Sequence, residues 1–103
     1  MSVPKQGEIW WAETEHKRRP VLVVTRSEAI PALTGVVVAP ITSSVREIPT
    51  EIALGESEGL PVECAASFDN LLMLRRSTLT ERVGELAFAK PRLCSALSAL
   101  ADC

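Results

Sequence analysis

Tyrosine is missing from this chain of 103 residues, and phenylalanine and tryptophan together number four. Stacking platforms of the kind that general single-strand binders use are therefore nearly excluded. One histidine rules out a mechanism that passes protons between two imidazoles. Three cysteines, Cys64, Cys94 and Cys103, form no CxxC pair, and with one histidine they cannot complete a typical zinc set. No metal and no cofactor are expected. An odd number of widely spaced cysteines fits reduced thiols in the cytoplasm. Long apolar runs are lacking too: the longest is broken by Pro40 and falls far short of a membrane span. Met1 to Lys5 is too short and polar to open a secretory segment. Nor is there an excess of positive charge, with 11 Lys/Arg against 13 Asp/Glu and a net charge of −2. That balance argues against a protein that coats nucleic acid non-specifically.

What is present suits one folded domain, residues 1–103, with 47% hydrophobic residues. The charge is uneven. Residues 1–50 carry +1 and residues 51–103 carry −3, so any nucleic-acid surface should be local and built from the first half. Gly7 to Glu13 alternates as a first strand should, with Trp10 or Trp11 turned inward. Arg19 to Thr25 and Gly35 to Ile41 are β-branched and almost wholly apolar, as central strands are. Between them Ser27 could cap a short helix that Pro31 limits. Pro49–Leu54, Val62–Ser67, Asn70–Leu74 and Arg82–Leu86 read as further strands, with an acidic turn at Gly55–Pro61. Pro91 suits the first turn of a closing helix, with Leu93, Leu97 and Leu100 along one face. The expected architecture is α+β and strand-rich, with a terminal amphipathic helix lying on the sheet.

Chemistry concentrates at two strand ends. Pro20 pushes Arg19 toward an extended conformation, so its guanidinium is held at a strand entrance. Thr42, Ser43 and Ser44 lie where the other apolar strand gives way to polar loop. A held guanidinium with hydroxyls is a phosphate-recognition kit, although spacing alone does not set the two groups side by side. Lys17, Arg18 and Arg46 could add phosphate contacts. His16 and Asp69 are the remaining groups able to move protons. Each has a plainer alternative: Arg19 paired with Glu13 or Glu15 at the surface, Thr42 to Ser44 as a solvated turn, His16 and Arg46 as solvated loop residues. Asp69 with Asn70 could simply shape a turn.

Taken in order, these segments resemble the MazF/PemK family of small toxins, whose fold is similar to that of the CcdB toxin. Gly7-Glu8-Ile9-Trp10 resembles the family's first strand. Arg19-Pro20-Val21-Leu22-Val23-Val24 and Val38-Ala39-Pro40-Ile41-Thr42-Ser43 resemble its two signatures. Arg46 with Pro49-Thr50-Glu51, then Phe68-Asp69-Asn70 and Leu79 to Gly84, follow in kind and order. The resemblance runs from about Gly7 to the final helix.

It implies a small, partly open, SH3-like β-barrel that forms a homodimer. It further implies a metal-independent endoribonuclease that cuts single-stranded RNA, held in check by a cognate antitoxin. Arg19 matches the family's catalytic arginine, Thr42 its catalytic hydroxyl, and Asp69 an acidic position used in some members. His16 lies in the loop where some members carry a histidine. Ser67 stands where some carry an arginine. On this reading the RNA's own 2′-hydroxyl attacks the adjacent phosphorus, with Arg19 gripping two phosphate oxygens and Thr42 donating a hydrogen bond. Ser43, Ser44, Arg46, Lys17 and Arg18 would line the RNA path. Two other functions compete: a non-enzymatic, CcdB-like poison of a topoisomerase, which needs no Arg19–Thr42 pair, and a binding module of this fold without catalysis.

Overall fold

The computed structural model describes residues 3–101; Cys103 lies outside them. Seven strands form one curled sheet: β1 (Glu8–Glu13), β2 (Arg18–Val23), β3 (Gly35–Thr42), β4 (Glu51–Leu54), β5 (Cys64–Ser67), β6 (Leu72–Arg75) and β7 (Leu79–Glu85). Their order is β4-β5-β3-β2-β1-β7, with β6 attached to β3. Among the described residues one α-helix, α1 (Ala89–Leu100), follows the sheet. The partly open barrel and terminal helix expected above are what the chain forms.

The central strand β3 serves three neighbours. β2 takes one edge, through Val21–Pro40, Leu22–Ala39 and Val23–Val38. The other edge is divided: β6 pairs with Gly35 to Val38, and β5 with Ile41 and Thr42. Pro40 sits at the hand-over between them, where a residue without an N–H costs the ladder least.

Both faces of β2 and β3 are buried, which is why their sequences do not alternate. Leu22, Ala39 and Ile41 join Ile9, Ile52, Leu54, Phe68, Leu86, Leu93 and Ala96 inside the curl. Val21, Val23, Val36 and Val38 turn the other way, toward Trp10, Ile30 and Leu79. Ile30 comes from a 3-10 turn, Ile30–Ala32, that covers this second cluster.

Two local expectations shift, and one open alternative is decided. Ser27 does not cap a helix; its Oγ accepts the Gln6 N–H at 2.9 Å, and the segment settles for the 3-10 turn Ile30–Ala32, with Pro31 as its second residue. The final helix begins at Ala89 with Pro91 in its first turn, as expected, and buries Leu93 and Ala96, but Leu100 at its end leaves the buried face and is 42% exposed. Of the two tryptophans, Trp10 is the buried one, and its Nε1–H donates to Glu8 Oε1 at 3.0 Å. Cys64 is buried and free, its thiol pushed up by burial and by the Glu58 charge, and Cys94 is free and exposed.

Candidate active site

The β2–β3 register supplies what spacing could not. Val21 faces Pro40 and Val23 faces Val38. Carried two residues outward, the same register sets Arg19 across from Thr42. Cross-strand partners share a face of the sheet, so both side chains emerge on the face that buries Val21 and Val38. There they line an open cleft of about 530 Å³ with Pro40, Ser44, Arg46, Ser67, Asn70 and Leu72.

Each wall has a local cause. Thr42 Oγ1 accepts the Ser44 N–H at 3.1 Å, which turns the chain out of β3 and leaves the threonine O–H free to donate. Ser67 ends β5, is buried, and its Oγ accepts from Asn70 Nδ2 at 3.0 Å. Arg46 rides on the loop between β3 and β4 and is tied from below. The Glu51 carboxylate accepts the Arg46 backbone N–H at 2.8 Å and its Nε–H at 3.0 Å. Asp69 Oδ2 lies 3.7 Å from Arg46 Nη2 and accepts the Thr50 hydroxyl at 2.7 Å.

The Glu51 side chain is only 2% exposed. The Arg46 backbone N–H outweighs burial and, with the guanidinium, holds its carboxyl below the usual carboxylate range. A carboxyl depressed on folding contributes stability above its unfolded pKa, and that stability is lost as pH falls through the folded value. Thermal unfolding followed from pH 7 down to pH 3 should therefore show a stability loss that Glu51→Gln diminishes. An unchanged profile in the variant would sever the link.

Of the residues singled out in the sequence, Arg19, Thr42, Ser44 and Arg46 meet in this cleft. Asp69 stands behind it, bound to Arg46 and Thr50. Ser43 is exposed beside the cleft without forming its wall. His16 and Lys17 sit in the exposed turn between β1 and β2, closed by the Thr14 N–H on Lys17 O at 2.8 Å. Arg18 goes elsewhere, because consecutive strand residues point to opposite faces. Its guanidinium stacks 4.3 Å from the Trp11 ring centroid and pairs with Glu13 at 3.6 Å and Glu81 at 3.3 Å. The ion pair imagined for Arg19 with Glu13 thus belongs to its neighbour. Ser67, Asn70 and Glu51 were not singled out as site residues. Alternation along β5 could have pointed to Ser67; nothing local marks Glu51 as a partner of Arg46.

A curled sheet whose outer face carries a guanidinium, a free hydroxyl and a second arginine in one open cleft has the chemistry to hold an anion such as a phosphodiester. The profile of the PemK-like, MazF-like toxins of type II toxin–antitoxin systems matches residues 5–100, and the chain belongs to that family. It is 37% identical over 105 residues to the probable endoribonuclease MazF5 of Mycobacterium tuberculosis, covering 99% of this chain and 96% of the relative. The solved structure of the Mycobacterium tuberculosis toxin MazF-mt6 superposes with a TM-score of 0.82 at 36% identity, over 90% of this chain and 94% of that one. A MazE–MazF structure from Deinococcus radiodurans aligns with a TM-score of 0.75 at 26% identity, over 96% of each chain.

Proposed function

We propose that the chain is the toxin of a type II toxin–antitoxin pair and acts as an endoribonuclease on single-stranded RNA. The observation that carries this reading is the meeting of Arg19 and Thr42, from two different strands, in one open cleft. Arg19 presents a planar fork to two non-bridging oxygens of the scissile phosphate and neutralises the charge that grows on them. Thr42, its oxygen already accepting the Ser44 N–H, donates a hydrogen bond from its hydroxyl to a phosphate oxygen. The nucleophile is the substrate's own 2′-hydroxyl. The P–O5′ bond breaks as the new P–O2′ bond forms, leaving a 2′,3′-cyclic phosphate and a 5′-hydroxyl end. The proton that leaves the 2′-hydroxyl passes to water, and water returns one to the departing 5′-oxygen, so that the protons balance. No step in this scheme requires a metal.

Incubating the purified protein with a long single-stranded RNA in EDTA tests this directly. Cuts at a recurring short sequence with cyclic-phosphate ends are expected; intact RNA from a folded protein would refute the scheme. Inhibition of a topoisomerase under the same conditions would favour the poison reading, which does not need the Arg19–Thr42 pair. Relatives named endoribonuclease weigh for the first.

The partners follow. One solved relative is a MazE–MazF structure, and an antitoxin segment laid over this cleft would block it. We place the second copy of the chain against β6, whose outer edge carries no strand among the described residues and whose Met73 is 69% exposed. An apolar sheet edge of this kind invites pairing. Met73→Lys should weaken the homodimer at least about tenfold, since a lysine there would have to be desolvated. Sedimentation equilibrium reads the change. The cytoplasm is the proposed location; among the described residues no helix is long and apolar enough to cross a membrane.

A further inference from the structure

We propose that Glu51 is a positioning residue for RNA binding: it folds the loop between β3 and β4 around its own carboxylate and thereby aims Arg46 at a backbone phosphate next to the scissile one. The inference rests on the ribonuclease reading and adds a residue that reading does not use.

The loop has no regular structure from Ser43 to Thr50. Its order comes from the buried acid at its end. The carboxylate takes the Arg46 backbone N–H with one oxygen and the Arg46 Nε–H with the other, at 2.8 and 3.0 Å. Glu47, the next residue, takes a left-handed conformation at φ 54°. Glu51 itself is fixed twice, by its N–H on Ile48 O at 2.9 Å and as the first residue of β4, paired with Ser67 of the cleft wall.

The guanidinium is not spent by this arrangement. Glu51 occupies the Nε edge, and Asp69 approaches Nη2 only at 3.7 Å. The side chain remains 54% exposed and lines the cleft with Arg19. A phosphate can therefore reach the terminal nitrogens while Glu51 keeps its hold, and the long side chain has already lost much of its rotamer freedom before RNA arrives. That saving is the benefit of preorganisation. A free loop arginine would have to be ordered by the substrate itself.

The experiment measures binding of a single-stranded oligonucleotide carrying the mapped cleavage site with 2′-deoxyribose at the cut, across a salt series. Wild type, Glu51→Gln, Arg46→Ala and the double variant are compared. Glutamine keeps the side-chain length but loses the charge and sets an amide against the guanidinium, and circular dichroism verifies that it folds. Glu51→Gln is expected to weaken binding about fivefold to tenfold. It should also reduce the slope of log K against log salt by about 0.7, the value for each phosphate of a single strand that is no longer neutralised. Arg46→Ala should give the same slope, and the double variant should be no weaker than Arg46→Ala alone. In cleavage assays the change should fall on KM rather than kcat. A wild-type slope in Glu51→Gln, or losses that multiply in the double variant, would overturn the positioning role and leave the ribonuclease intact. A wild-type protein that neither binds nor cuts RNA would instead overturn the reading beneath it.

Discussion

On the proposed function, Arg19→Ala is expected to lower the single-turnover rate of RNA cleavage by about a hundred- to a thousand-fold, the usual loss when one charge-stabilising donor is taken from a transition state. The fold should survive. Arg19 is an exposed residue at the outer end of β2, and the core residues of that strand begin at Val21. Its value is therefore to the substrate rather than to the sheet. Arg19→Lys separates charge from geometry. A lysine ammonium keeps the positive charge at the strand entrance but offers a point donor where the guanidinium offers a fork. Two oxygens of one phosphate can be gripped by the fork in parallel, and their charge grows together as the 2′-oxygen attacks. The lysine variant should consequently be nearly as slow as alanine. A lysine enzyme within about tenfold of wild type would mean that net charge alone suffices and that the bidentate grip is unnecessary.

Phe68→Ala should cost about 3–5 kcal/mol of stability, the range for deleting a large aromatic from a packed interior. Set against the total of roughly 5–15 kcal/mol typical of a small domain, that leaves much of the protein near its unfolding transition. Phe68 is the largest of the fully buried side chains. It packs among Ile41, Ile52, Ala66, Leu93 and Ala96, tying the sheet to α1. Its N–H donates to Thr50 O at 2.9 Å, so the loop that carries Arg46 is fastened through it as well. Urea unfolding reads the effect as a fall in the midpoint with little change in slope. Phe68→Leu, which keeps most of the volume, should recover more than half the loss. An alanine variant with a midpoint near wild type would show that the cluster can collapse around the gap. Ser67 and Asp69 flank this residue, so the site's floor and the core are one construction.

The strands were easiest to read where burial is simplest. β2 from Val21 onward and β3 up to Ile41 are almost wholly apolar because there each faces a core on both sides, and such runs announce themselves. The 3-10 turns did not, since Ile30–Ala32 and Arg76–Thr78 have no periodicity to find. Arg19 and Thr42 were visible as chemical types at strand ends. Their adjacency was not, because it depends on a register fixed by hydrogen bonds between distant segments. Arg18 illustrates a signal present and unused: alternation along a strand already assigns neighbouring arginines to opposite faces. Trp11, Glu13 and Glu81 then claim it. Arg46 and Glu51 pose the opposite problem. They are close in sequence, but the irregular loop between them has no rule from which their contact could be deduced.

The walls of the cleft are mostly residues whose places are settled by strand pairing and by buried hydrogen bonds, and the cleft itself opens to solvent. On the proposed function, such a site is competent as soon as the chain has folded. No further rearrangement separates a finished molecule from an active one. Restraint must then be supplied by whatever molecule sits over the opening, and the dose of activity in a cell becomes a question of stoichiometry between the two.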